Sequence, residues 1–388
     1  MSTSKVIVVG AGAFGVAAAL ELKRRGRDVT LVDPGPLPHP LASSTDISKF
    51  VRMDYGADDF YTDLGIAALE VWDMWNATWP VPPYRETGLL LLSERTMEAG
   101  SFEGDSFDRV RKRGVAAERL APNTLASRFP AWSGNRYLDG YFNPRAGWSP
   151  SGRVVGHLVG LARKAGVNLR EGVRFAGLIE SDSRVDGIVA ADGERIEADT
   201  VVVAAGAWTS VLLPHLSDRL EAIGQPVFHL KPDDPSPFRP EVFPCWTADI
   251  SRTGWYGFPA NDDGIVKIAN HGPGRRVHPD ELREVAPEDH ERLRDFLSGS
   301  IPSLADSPIA ATRLCLYGDS WDGNFLIDRD PDRPGLVVAG GDSGHGFKFV
   351  PVLGAVIADA VEGRPHARFA WRARGARMSE DARFLGGE

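Results

Sequence analysis

Lys5-Val6-Ile7-Val8-Val9-Gly10-Ala11-Gly12-Ala13-Phe14-Gly15 decides how the rest of the chain is read. The apolar run predicts a buried strand over Lys5–Val9, and it is too short for the apolar core of a signal peptide. Helical spacing follows over Phe14–Arg25 and a second strand pattern over Asp28–Asp33, which makes a βαβ unit. In such a unit each glycine has its own task. Gly10 permits the tight turn, Gly12 lets a pyrophosphate approach the backbone, and Gly15 lets the helix pack on the strand. Ala13 and Phe14 open the helix whose N-terminus receives the phosphates. Asp33, 23 residues after Gly10, is placed to accept hydrogen bonds from an adenosine ribose, and its charge disfavours a 2′-phosphate and hence NADP. This motif alone leaves FAD and NAD open.

Around it lie 388 residues, too many for one compact core, so two closely joined domains are expected. Lys and Arg total 44 against 53 Asp and Glu, and the net charge of −9 excludes a polyanion-binding role, so no nucleic-acid partner is expected. No apolar run approaches the ~18 residues of a membrane span, and no membrane association is expected. Cys245 and Cys315 are the only cysteines. Their wide separation suits a reducing, cytoplasmic setting without disulfides.

Further along, helices are predicted at Asp59–Asn76, at Ser151–Gly166 and, after Pro287, at Glu288–Ser298. Thr87–Ser93 reads as a strand of a different sheet, while Val167–Arg170, Val201–Ala205 and Leu336–Ala339 return to the first one. Between them Pro226–Leu230, Trp255–Phe258 and Gly264–Asn270 are short antiparallel candidates. The fold class is therefore α/β plus α+β: a Rossmann-like dinucleotide domain with an interleaved antiparallel-sheet substrate domain. Residues 1–80, 145–218 and 319–388 are assigned to the first and 81–144 and 219–318 to the second. Val173, Ala205, Gly206 and Trp208, beyond strand ends of the first domain, are expected on the cofactor, as are Ser44 and Thr45 after the second strand.

A second glycine loop lies near the other end: Gly340-Gly341-Asp342-Ser343-Gly344-His345-Gly346-Phe347-Lys348-Phe349. Loops at the carboxyl ends of strands in a doubly wound sheet meet over one crevice, so both glycine loops can face one long cofactor. A helix start beside a flavin ring would stabilise the negative charge of its reduced form. Asp342, Gly344, His345, Gly346, Phe347 and Lys348 are the candidates there. Lys348 needs an anionic partner unless it is solvated, and Lys267, in an apolar alternating strand, is costly unless paired or used.

Ser343–Lys348, Arg313-Leu314-Cys315-Leu316-Tyr317 and Asn324-Phe325-Leu326-Ile327-Asp328 together resemble the monomeric sarcosine oxidase and fructosyl amino acid oxidase (amadoriase) group, within the D-amino acid oxidase-like superfamily. The resemblance covers nearly the whole chain. It implies FAD, molecular oxygen, a small secondary amine as substrate and a monomeric enzyme without a metal. By it, Cys315 is joined through sulfur to the flavin 8α-methyl group, Lys348 and Arg52 bind the substrate carboxylate, and Lys267 supplies positive charge where oxygen accepts electrons. Tyr256, Tyr317 and His271 then shape the pocket or hydrogen-bond the substrate. Cys245 is read as a buried apolar residue.

For the amine, two segments pull apart. Asp46-Ile47-Ser48-Lys49 resembles amadoriases, where sarcosine oxidases carry arginine at the position of Lys49, which is expected at both flavin and substrate. His271 matches sarcosine oxidases instead. The expected reaction is oxidation of the C–N bond of a fructosyl amino acid, giving an imine that hydrolyses to glucosone and free amino acid, plus hydrogen peroxide. The alternatives are an oxidase of sarcosine or another N-methyl or cyclic secondary amino acid, and a dehydrogenase passing electrons to a quinone or carrier protein.

Overall fold

The computed structural model describes residues 4–133, 136–182 and 184–375. The end of the first domain's assigned range, 376–388, lies outside them. The βαβ opening forms as read, with strand Lys5–Val9, helix Ala13–Arg24 and strand Asp28–Asp33. Val6, Val8 and Val9 have parallel partners on both sides, in Thr200–Val203 and Asp28–Asp33. The six-stranded sheet runs Leu326–Arg329, Leu336–Gly340, Thr200–Val203, Lys5–Val9, Asp28–Asp33, Asn168–Glu171. It is parallel except for the first strand, which turns back antiparallel on Leu336–Gly340.

Both faces of this sheet are covered, which accounts for the unbroken apolar runs of its strands. On one face the opening helix packs with Ser151–Lys164 and Val350–Val361 through Val16, Leu22, Val155, Leu158, Leu353 and Ile357. On the other, Ile7, Val201 and Val203 meet Phe175, Val185 and Ile188. These last three belong to a three-stranded antiparallel sheet over 175–197 that the sequence reading did not contain.

A larger sheet holds the antiparallel candidates. Leu220–Leu230 pairs along nearly its whole length with Ile309–Ser320 and, over Val227–Leu230, with Val266–Asn270. The sequence reading started this strand at Pro226, six residues late. In fact Pro226 falls between Gly224, where the Arg275–Arg276 neighbour pairs, and Val227, where the Val266–Asn270 neighbour begins, so it interrupts no pairing on that edge. The Leu89–Ser93 strand joins the same sheet through a parallel pairing with Cys245–Ala248, an exception to its antiparallel character. Phe228, Trp246, Ile268, Phe296 and Leu297 form the core beneath it. Among the described residues no helix is long and apolar enough to cross a membrane.

Candidate active site

The chain's opening turn is built by its glycines. Gly10 has φ +97°, and a Cβ there would lie 2.7 Å from the Ala204 carbonyl oxygen. A Cβ on Gly15 would lie 1.8 Å from the Gly10 carbonyl oxygen, so only glycine lets the helix sit this close to the turn. Gly12, by contrast, faces open space with only Ser44 Oγ 3.5 Å from its would-be Cβ. It begins the helix with no side chain of its own to cap it and no acidic residue in the first turn; the Ala13 N–H donates to the Ser44 hydroxyl at 3.2 Å, and no carboxylate of the first turn competes with an outside anion for the positive helix end. Asp33 is buried and accepts from the Ala11 and Gly35 N–H groups at 2.8 and 3.0 Å, which fixes the loop and leaves further lone pairs for a ribose.

A crevice of about 440 Å³ opens over this turn. Gly10, Gly12, Ala13, Phe14 and Asp33 line it, together with Ser44, Lys49, Val173, Ala205, Gly206, Trp208, Tyr317, Asp342, Gly344, Gly346 and Phe347. The two glycine loops, more than 320 residues apart, thus form one continuous wall. A helix start free of acidic residues, an open glycine, a buried acid and a cleft walled by both glycine loops all fit a dinucleotide.

Thr45, Arg52, Tyr256, Lys267, His271, Cys315, His345 and Lys348 are not on that wall. Thr45 is near it in sequence, and its carbonyl, with that of Ala42, accepts from the Arg313 guanidinium, which clamps the loop after the second strand. Cys315 lies within Ile309–Ser320, 1% exposed, with Lys49 Nζ 3.6 Å from its sulfur. Cys245 is equally buried, but its contact is the Thr87 hydroxyl and burial pushes its thiol pKa up. Beside Cys315, Tyr317 and Tyr256 bring their hydroxyls to 3.4 Å, and the His271 ring lies 5.7 Å from that of Tyr317.

Lys267 is 1% exposed and holds Asp46 at 2.7 Å and the Ser48 carbonyl at 2.5 Å. Burial lowers its pKa to about 8, against the pull of Asp46. Asp46 moves down too, despite its burial, because Lys267, His229, Lys49 and Arg313 all surround it. Lys348 does not open a regular helix as expected. It sits in a 3-10 turn, Phe347–Phe349, and the helix proper starts at Val350 with Pro351 in its first turn, where a missing N–H costs nothing. Burial, then Arg52 and Lys49, hold the Lys348 ammonium well below its ordinary pKa, and Asp342 opposes them. Arg52 and Lys348 both stand over the Tyr55 ring, at 4.9 and 5.3 Å, and Arg52 Nε and Nη1 are buried without a hydrogen-bond partner. Tyr55 and Asp46 were the residues whose parts in this geometry the sequence reading missed. Tyr55 lies three residues after Arg52 and Asp46 three before Lys49, but only tertiary packing shows what they touch.

A dinucleotide cleft flanked by buried cations and a cysteine defines a flavin-dependent oxidoreductase. The FAD dependent oxidoreductase family model matches residues 5–360. The chain belongs to that family. It is 28% identical to the monomeric sarcosine oxidase of Bacillus sp. (strain B-0618) over 91% of this chain and 90% of that one. It is also 28% identical to the N-methyl-L-tryptophan oxidase of Salmonella arizonae, over 93% and 95%. Among solved structures it superposes on fructosyl amine:oxygen oxidoreductase (Amadoriase I) from Aspergillus fumigatus with a TM-score of 0.81 and 27% identity, covering 96% and 90%.

Proposed function

We propose that the protein is a monomeric oxidase that removes two electrons from the C–N bond of a secondary amino acid, with a glycated (fructosyl) amino acid as its substrate and oxygen as acceptor. Residues 1–80, 145–218 and 319–388 hold FAD, and 81–144 with 219–318 cover the substrate. The observation that carries the reading is the crowding of the buried Lys348 by the cations Arg52 and Lys49, opposed by Asp342, whose own pKa burial raises. Mutual repulsion of this kind is relieved by an incoming anion. Arg52 Nε and Nη1 have no partner within the protein, so the guanidinium has donors left for an incoming carboxylate.

FAD, when bound, accepts the electrons of the amine and passes them to oxygen. The protein's part is to orient and to manage charge. Arg52 and Lys348 hold the substrate carboxylate, so that the reacting carbon is positioned before transfer. Tyr256 and Tyr317 offer hydroxyls to the amine's second substituent, for which a sugar is well suited. Lys267 presents positive charge where oxygen becomes anionic, and Cys315 is the residue that would hold FAD through its sulfur. His271 beside Tyr317 favours, as second reading, sarcosine or another N-methyl amino acid.

Anaerobic mixing of the yellow protein with fructosyl-valine, fructosyl-glycine, sarcosine and N-methyl-tryptophan tests this. Bleaching by the fructosyl compounds, with peroxide formed on admitting air, is expected. Bleaching by the N-methyl compounds alone moves the assignment to the second reading. Bleaching without peroxide makes the protein a dehydrogenase.

A further inference from the structure

Behind Lys348 lies a chain of hydrogen bonds whose direction can be worked out. The His345 ring contacts the Gly323 carbonyl oxygen through Nε2 at 3.0 Å and the Tyr55 hydroxyl through Nδ1 at 3.1 Å. A carbonyl only accepts, so Nε2 carries a proton. Burial beside Lys348 lowers the imidazole pKa to about 3, which leaves His345 neutral and its Nδ1 a bare acceptor. Tyr55 must then be the donor in that contact, and burial keeps it a phenol. Its one proton is committed to His345, so its oxygen can only accept from Lys348 Nζ, 2.9 Å away. A second Lys348 N–H goes to the His345 carbonyl at 2.7 Å, and the Lys348 carbonyl is held by Trp72 Nε1 at 2.8 Å. In its charged form, which an incoming carboxylate stabilises against the pull of burial, Lys348 has three N–H donors. Two are fixed by the protein and one remains.

Packing keeps the relay in register. Tyr61 stacks on Tyr55 with ring centroids 5.2 Å apart, and Phe325 stacks on His345 at 4.9 Å. Neither ring of the relay needs its polar atoms for anything else: each has its partners within this chain.

We propose that Tyr55, oriented by His345, is a positioning residue for Lys348, holding the ammonium by two of its three donors so that the third serves the carboxylate of the amine substrate. This rests on the reading of Lys348 as a carboxylate-binding group. It adds a residue that makes no contact with the substrate yet sets its affinity.

The test uses the flavin-loaded enzyme and propionate, a carboxylate with no amine to oxidise, whose dissociation constant is read from its perturbation of the flavin absorption band. Tyr55→Phe keeps the ring and its stacking and removes only the hydroxyl. It is expected to weaken propionate roughly tenfold, the loss of one hydrogen bond to a charged group. For the oxidised amine it should raise KM by a similar factor and change kcat less than twofold. Lys348→Gln should weaken propionate at least as much, and the double variant should match Lys348→Gln alone. Propionate affinity unchanged by Tyr55→Phe but lowered by Lys348→Gln overturns the proposal and leaves the carboxylate reading standing. Independent, multiplying losses in the double variant also overturn it, because Tyr55 would then act by another route. An unchanged affinity in Lys348→Gln overturns the carboxylate reading itself.

Discussion

Replacing Asp46 by asparagine removes one charge from a pair in which both side chains are 1% exposed, with hardly a change of shape. In the native protein Lys267 pays for its burial with a pKa lowered from 10.5 to about 8. That depression corresponds to about 3 kcal/mol by which the fold disfavours the ammonium. Its sign is definite: the unfolded chain binds the proton more tightly, so stability rises as pH climbs from about 8 towards 10.5 and is flat below 8 on this account. In Asp46→Asn the largest opposing pull is gone while Lys49 remains, so the Lys267 pKa falls further and the rising limb starts below pH 8. The two proteins should therefore differ most at pH 6, by about 3–5 kcal/mol as for other severed buried pairs. The gap should narrow by about 1 kcal/mol or more by pH 8 and stay level above. Urea unfolding followed by tryptophan fluorescence measures it, repeated in a His229→Gln background to remove the neighbouring imidazole. A gap below about 1 kcal/mol at pH 6, or one that does not change between pH 6 and 8, would refute the reasoning.

Other parts of the site make separate predictions. Gly15→Ala drives a Cβ into the Gly10 carbonyl, and the protein should purify with little or no bound flavin, read from its visible absorbance relative to that at 280 nm. Acid precipitation should leave the colour on the native polypeptide and release it to the supernatant from Cys315→Ala; the opposite result removes the covalent bond from the account. Arg52→Lys keeps a cation but loses the fork, and kcat/KM for a carboxylate-bearing amine should fall roughly 10- to 100-fold. Lys267→Gln should slow the reoxidation of reduced enzyme by oxygen about 100-fold or more while anaerobic reduction by substrate persists. A stopped-flow trace in which both phases slow equally would place Lys267 elsewhere in the reaction.

The nucleotide-facing turn was legible because its demands are local. Gly10, Gly12, Gly15 and Asp33 act through backbone conformation and close approach within one βαβ unit; Gly10, Gly12 and Asp33 line the crevice, and Gly15 packs against the Gly10 carbonyl behind it. The late glycine loop was legible for a similar reason, and its meeting with the first follows from the doubly wound sheet. The three-stranded sheet over 175–197 was not, since its two longer strands carry Gly177 and Gly187 in their interiors, and its third is only three residues, Arg195–Glu197, with a charged residue at each end. Asp46 was visible as part of a segment but not as the partner of Lys267, 221 positions away. Tyr55 was invisible as a function: nothing local distinguishes a tyrosine that orients a distant lysine from one that fills a core.

Electron density for the yellow protein tests the central claim most directly. One flavin nucleotide should span the crevice, with its pyrophosphate on the Gly10–Gly15 turn and its ring between Cys315 and the Gly344–Lys348 loop. A nicotinamide nucleotide in that cleft, or a flavin lying clear of either glycine loop, would contradict the account.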